Sequence, residues 1–298
     1  MTAATLKFEQ LGLIGCGLMG GSFALALKRA GLVKRVVGYS KSPSTTERAR
    51  QMGVIDIEAP SALLAVSGAD LVLVAVPVSA TEATFKAIRH LLTKDTLVMD
   101  VGSTKREVID AARRVLKDQV GLFVPAHPIA GKELAGVDNA DPDLYHGRQV
   151  ILTPIERTQP AQLDKAVRLW TALGCHVQQM TPEAHDAAYA AVSHLPHVIA
   201  FALMNAIADQ ERGKLFLSLA GPGFRDFTRI AASDPSVWRD ILVSNREELI
   251  AQSRQFQRAL RAFEAAIADG NPDALEALIE KASQARARWR MSAHKSQS

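Results

Sequence analysis

The sequence predicts an α/β chain, with a doubly wound parallel sheet over residues 1–180 and an all-helical second domain over 181–298. Three observations predict it. Short apolar runs alternate with amphipathic stretches through the first half, the pattern of parallel strands covered by helices on both faces. A glycine-rich turn, Gly15-Cys16-Gly17-Leu18-Met19-Gly20, sits between the first apolar run and the first amphipathic stretch. After about residue 180 the strand signals stop and apolar residues recur at three- and four-residue spacing.

Strands are expected at Gln10–Ile14, Arg35–Tyr39, Leu71–Val76, Thr96–Val101, Leu122–Ala126, Gln149–Thr153 and His176–Met180. Leu71–Val76 is apolar on both faces, as a central strand must be. Helices fall between them: Ser22–Ala30 closed by Gly31, Thr45–Met52 closed by Gly53, Ala80–Leu92, Lys105–Leu116 and Pro160–Leu173. In the second half, Ala184–Asp209 reads as a helix start, a kink at Leu195-Pro196 and a long apolar helix. Pro235 opens further helical periods, in which Leu249, Phe256, Leu260, Phe263 and Ile267 form a stripe ended by Gly270. Pro272 then starts a last helix, Asp273–Trp289. So long an apolar stripe needs a partner surface, and a homodimer is expected.

Composition excludes several functions. Two cysteines, Cys16 and Cys175, rule out a disulfide framework and a cysteine zinc site, and no metal is expected. Aromatics at 5% are too few for a base-stacking platform. The net charge of +4 is concentrated at the end, where Lys281, Arg286, Arg288, Arg290 and Lys295 follow Glu280 with no acid among them. Such a tail reads as a solvated helix end, so neither nucleic acid nor membrane is an expected partner. Leu11–Leu27 is uncharged but carries five glycines and lacks a basic leader, so it reads as strand, turn and helix in a cytoplasmic protein.

The glycine turn fits G-x-G-x-x-G. Gly15 suits the tight turn, Gly17 lets backbone approach a pyrophosphate, and Gly20 lets helix pack on strand. The helix N-terminus supplies N–H groups and a positive dipole end to phosphates. An acid about 20 residues further on would hold the ribose 2′-OH of NAD. Here Tyr39 is followed by Ser40, Lys41 and Ser42, and the first acid is Glu47. Hydroxyls and a lysine favour a 2′-phosphate, so NADP is expected in preference to NAD.

Further polar segments follow strands or interrupt the helical half: Asp100-Val101-Gly102-Ser103-Thr104-Lys105, His127-Pro128-Ile129-Ala130-Gly131-Lys132-Glu133, Ser193-His194-Leu195-Pro196-His197 and Gly223–Arg229. The first two lie at the carboxyl edge of the sheet, where ligands of open α/β sheets bind. A hydride-transfer site needs a group to take the alcohol proton, for which histidine is suited, and arginine to hold a carboxylate. Arg225 and Arg229, four residues apart, would share a helix face.

Taken together, GCGLMGGS, AVPVSAT, DVGSTK, HPIAGKELAG, SHLPH and GFRDFTRIAASDPSVWRDI resemble the prephenate/arogenate (cyclohexadienyl) dehydrogenase family of tyrosine biosynthesis, in order and spacing. The resemblance implies a Rossmann-like domain and a helical dimerisation domain. It implies oxidative decarboxylation of prephenate to 4-hydroxyphenylpyruvate, or of arogenate to tyrosine, with hydride passing to NAD(P). Gly15, Gly17, Leu18, Met19, Gly20, Ser40, Lys41, Ser42, Val76 and Pro77 would hold the cofactor. His127 would be the base, with Ser103 orienting it, and Arg229 would grip a substrate carboxylate. Ser193 and His197 would line the pocket. Glu133 and Arg225 would form an ion pair at its entrance, and Trp238 would come from the neighbouring subunit.

Lys132 would repel the ammonium of arogenate, which favours prephenate. No regulatory or mutase segment is expected, so any feedback by tyrosine would be competition at the site. Two other classes fit less well. A 3-hydroxyisobutyrate-type dehydrogenase would carry a lysine on its first long second-domain helix, and Val198–Asp209 has none. A non-catalytic NADP sensor would have no use for His127 and Arg229 together.

Overall fold

The computed structural model describes residues 6–132 and 134–289. Residues up to Arg246 form one compact unit, and those from Glu247 onward form a second. The first unit begins with β1 (Phe8–Ile14), α1 (Leu18–Arg29), β2 (Val33–Tyr39), α2 (Pro43–Gln51), β3 (Ile57–Glu58), α3 (Ala62–Ala65) and β4 (Leu71–Val74). It continues through α4 (Thr81–Ile88), β5 (Leu97–Asp100), α5 (Arg106–Leu116) and β6 (Phe123–Val124). These strands make one parallel sheet in the order β3-β2-β1-β4-β5-β6. All four residues of β4 are buried, as expected for a strand covered on both faces. The order reverses between β1 and β4, which opens a ligand crevice at their carboxyl ends.

One expected strand divides. Leu122–Ala126 breaks at Pro125, which has no N–H to give a ladder. The chain resumes as β7 (Ala126–Pro128) in a second sheet with β8 (Gln149–Leu152) and, after α6 (Pro160–Ala172), β9 (His176–Gln179). β7 pairs antiparallel with β8, and β8 pairs parallel with β9. The Ala126 N–H leaves the sheet pattern and donates to Asp100 Oδ1 at 3.0 Å. β3 and α3 are too short to register in the sequence pattern.

α7 (Pro182–Tyr189) and α8 (Leu195–Ala208) are joined by a π turn, Ala190–His194, in place of the expected kink. Pro196 cannot donate to the carbonyl four residues back and its ring crowds it, and the wider turn absorbs the conflict. By length and composition this run, Pro182–Ala208, is apolar enough to cross a membrane, and 17% of its most apolar window is buried. It also carries His185, Asp186 and His194, each no more than 1% exposed, so its inner face is a polar site. Short helices α9 (Gly213–Ser218), α10 (Pro222–Thr228) and α11 (Pro235–Ser244) complete this unit.

The second unit holds most of α12 (Arg246–Ala268) and α13 (Pro272–Arg288). Gly270 turns between them with φ 58°, and Asn271 caps α13 by accepting from Ala274 N–H at 3.0 Å. Leu260, Ile267 and Ile279 are exposed, as an unpartnered stripe would be. Of the basic tail, Arg290 and Lys295 lie outside the described residues.

A buried ion pair fastens the two sheets. Lys105 Nζ, fully buried, meets Asp100 Oδ2 at 2.5 Å and donates to the Ala126 carbonyl at 2.7 Å. Burial pulls the lysine pKa down while Asp100 pulls it back up. Lys105→Met would leave a buried carboxylate without its cation. Urea unfolding is expected to show a loss of about 3–5 kcal/mol; a loss under about 1 kcal/mol would contradict this role.

Candidate active site

The glycine turn has the geometry its sequence predicts. Gly15 has φ 95°, and a Cβ there would overlap the Ala75 carbonyl; a Cβ at Gly20 would overlap the Gly15 carbonyl. Gly17 differs, because a Cβ there would meet nothing within 4 Å. The open side of the turn lies over the start of α1, whose N-cap, Gly17, offers no side chain to the first-turn N–H groups. Leu18 and Met19 are half-buried in that turn, and Tyr145 Oη donates to the Met19 carbonyl at 2.7 Å. These features fit a pyrophosphate.

The end of β2 is tied to the turn by Cys16 N–H donating to Ser40 Oγ at 2.8 Å. Beside it a cavity of about 390 Å³ is lined by residues including Ser40, Lys41, Thr46 and Glu58. Ser42 bonds to Ser44 at 2.8 Å. Glu58 is a carboxylate the sequence reading did not place here, because it arrives on a neighbouring two-residue strand. It faces Arg50 at 3.4 Å. Val76 and Pro77 follow β4 at the carboxyl edge.

His127 lies in the middle of β7, 9% exposed. Its Nδ1 is 2.8 Å from Nε2 of His185, whose own Nδ1 is 2.8 Å from Asp186 Oδ1. An ionised carboxylate only accepts, so His185 donates through Nδ1 and, being neutral, accepts through Nε2. His127 therefore donates through Nδ1, which leaves its Nε2 with a free lone pair. Asp186 fixes the tautomer of both rings.

Electrostatics agree with this assignment. Burial, then the neighbouring His185, Lys105 and His194, hold the His127 pKa well below its ordinary 6.5. His185 is also lowered by burial, against the pull of Asp186. Burial pushes Asp186 upward, but its hydrogen bonds from His185 and from the Arg106 and Lys105 N–H groups win and lower it. Tyr189 packs edge-on to His127 with centroids 4.7 Å apart, and burial raises its phenol to about 12, so it stays neutral.

Ser103, expected to orient the histidine, is half-buried and makes no hydrogen bond to it. That contact belongs to His185, 58 residues further along the chain. Both of its ring nitrogens are already occupied. Two of the three donors to Asp186, the Lys105 and Arg106 N–H groups, lie about 80 residues away, and no local pattern announces them.

The SHLPH segment supplies a second wall. His197 Nδ1 donates to the Ser193 carbonyl at 2.9 Å, and its ring stacks on Trp238 with centroids 3.4 Å apart. α11 carries Trp238 onto His197 of its own chain. Burial lowers the His197 pKa, and the nearby Arg229 charge lowers it further. His194 is almost fully buried, accepts from Asn245 Nδ2 at 3.1 Å, and is lowered to about 4 by burial.

Arg225 and Arg229 do not share one helix. α10 ends at Thr228, and Arg229 opens a 3₁₀ turn near His197. Arg225 is exposed and faces its neighbour Asp226 at 3.4 Å. Glu133, and with it the expected pairing with Arg225, lies outside the described residues. Lys132 is drawn to Asp141 Oδ2 at 2.8 Å.

The family profile described as "Prephenate dehydrogenase, nucleotide-binding domain" matches residues 23–179, and "Prephenate dehydrogenase, dimerization domain" matches 181–281. The prephenate dehydrogenase of Bacillus subtilis is 36% identical over 250 residues, covering 83% of this chain and 67% of that one. The cyclohexadienyl dehydrogenase of Zymomonas mobilis is 34% identical over 281 residues, 94% of this chain and 95% of its own. The crystal structure of A. aeolicus prephenate dehydrogenase in complex with hydroxyphenyl propionate and NAD+ superimposes with a TM-score of 0.88 at 34% identity. It covers 95% of this chain and 99% of that one. Synechocystis arogenate dehydrogenase gives 0.80 at 28% identity, over 94% and 100%.

A base that is neutral because it is buried should remain active in mild acid. The acid limb of kcat/KM, which reports the free enzyme, is expected below pH 6.5. His127→Asn is expected to lower kcat roughly 10²–10⁴-fold. An acid limb above pH 7 in the parent, or near-parental turnover in the variant, would remove His127 from the role.

Proposed function

The chain belongs to the prephenate dehydrogenase family of NAD-dependent oxidoreductases, and on that premise we propose that it oxidatively decarboxylates prephenate to 4-hydroxyphenylpyruvate. The observation that carries the reading is the His127–His185–Asp186 chain, which leaves one ring nitrogen of His127 bare. The bound nicotinamide would accept hydride from the ring carbon that bears the hydroxyl. His127 Nε2 takes the hydroxyl proton as the carbonyl forms. Loss of carbon dioxide then aromatises the ring, so the chain has mainly to orient the substrate, accept a proton and place charge.

Arg229 is assigned to a substrate carboxylate, with His197, Ser193 and Trp238 along the ring. Ser103 lies near the reacting edge, and Arg225 and Glu133 are assigned to the entrance. Lys132 is neutralised by Asp141, so it sets no strong charge barrier to an ammonium.

Gly15, Gly17, Leu18, Met19 and Gly20 are assigned to the pyrophosphate, and Val76 and Pro77 to the nicotinamide side. Ser40, Lys41 and Ser42 are assigned to the adenosine ribose with NADP preferred, Glu58 being partly offset by Arg50. The domain boundary is placed near residue 180. A second copy of the chain is the proposed partner, covering Val192 and Leu219, which are 72% and 75% exposed. The proposed compartment is the cytoplasm, where the buried thiols Cys16 and Cys175 stay reduced.

The test is the initial rate of NADP and NAD reduction with prephenate, with arogenate and with neither. No substrate-dependent rate under any pairing would overturn the function. Arg229→Ala is expected to raise the prephenate KM roughly 10- to 100-fold, the size of a charge-assisted hydrogen bond, with a smaller effect on kcat. An unchanged KM would remove that assignment. Ser40→Asp can still accept from Cys16 N–H but repels a 2′-phosphate. It is expected to lower the NADP-to-NAD efficiency ratio by roughly tenfold or more; an unchanged ratio would place the phosphate elsewhere.

A further inference from the structure

Helix α11 and its C-cap Asn245 are tied to α7, to α8 and to the loops that follow β4 and β5. Trp238 stacks on His197. Two residues on, Asp240 Oδ2 accepts a hydrogen bond from Ser79 Oγ at 2.5 Å. Ser244 Oγ donates to Thr104 Oγ1 at 3.1 Å, and Asn245 Nδ2 donates to the Asp186 carbonyl at 2.8 Å. The last two contacts support the base and its tautomer chain, and the first forms the substrate wall. The Ser79 contact serves neither.

Ser79 lies in a 3₁₀ turn, Val78–Ala80, directly after Val76 and Pro77 and before α4. The hydroxyl sits on an exposed turn where water would satisfy it. Asp240 has less choice: only 12% of its side chain is exposed, and its other oxygen is taken by the Arg239 guanidinium at 2.7 and 2.9 Å. A nearly buried carboxylate short of a donor is costly, so the bond holds the turn to the helix more than it serves the serine.

We propose that Asp240 is a positioning residue for hydride transfer: through Ser79 it fixes the turn after β4 against α11, so that seating of the cofactor is coupled to the Trp238–His197 wall. The proposal rests on the cofactor reading above. Hydride transfer requires two separately held rings to meet at about 3–3.5 Å, and α11 is mechanically connected to both holders.

The experiment titrates the whole chain with NADP+ and with NAD+ in the absence of substrate. Affinity is read by calorimetry, and the environment of Trp238 by tryptophan emission after subtraction of the Trp238→Phe signal. In the parent, cofactor binding is expected to change Trp238 emission. In Ser79→Ala, a mild change on an exposed turn, and in Asp240→Ala, which leaves the Ser79 hydroxyl without this acceptor, the response is expected to fall at least about threefold while the nucleotide still binds. Ser79→Thr, which keeps the hydroxyl, is expected to retain it. With prephenate, kcat/KM is expected to fall about tenfold in each single variant and no further in the double variant, since both remove one contact.

A parental Trp238 response in both variants, losses that add in the double variant, or no response in the parent while nucleotide binds would each overturn the proposal. Absence of nucleotide binding to the parent would instead overturn the cofactor reading, and this proposal with it.

Discussion

The carboxylate of Asp186 is 1% exposed, and burying a charge so completely is tolerable only when donors surround it. It receives the N–H groups of Lys105 at 2.8 Å and Arg106 at 3.0 Å, and the ring N–H of His185 at 2.8 Å. The first two are orphan donors at the start of α5, so an acid from α7 caps a helix about 80 residues earlier in the chain. The third sets the tautomer of His185 and through it that of His127. One buried charge thus docks α7 on the start of α5 and sets the tautomers of the His185–His127 pair.

The Asp100–Lys105 pair performs a related task one layer deeper. Asp100 ends β5 and receives the Ala126 and Gly102 N–H groups as well as the lysine. Lys105 in turn holds the Ala126 carbonyl. The peptide groups flanking the start of β7 are therefore fixed from both sides, and His127 is the next residue. A polar segment that read as part of the reacting edge is largely scaffold. Its charges cancel one another in the interior rather than facing substrate.

Much was legible in the sequence where the cause is local. The glycine turn announces itself because a tight turn, a close approach and a helix packed on a strand each exclude a Cβ at a fixed offset. The β4 strand is legible because both faces are apolar, and α13 because proline opens it and glycine precedes it. The family resemblance rests on the same kind of information, short motifs in order. Pro125 was equally visible, yet its consequence, a second sheet beginning at Ala126, depends on where the freed N–H finds Asp100.

The sequence by itself determined the two-part α/β and helical organisation and the dinucleotide turn. Only the tertiary structure decided which side chain bonds His127, that Trp238 stacks within its own chain, that Glu58 borders the cavity at the end of β2 and that Asp240 holds Ser79. The division has a physical reason. Periodicity, turn and cap preferences act over a few residues and leave marks at fixed spacing. A buried polar group is satisfied by whatever donor the fold brings near, and sequence distance places no limit on that partner.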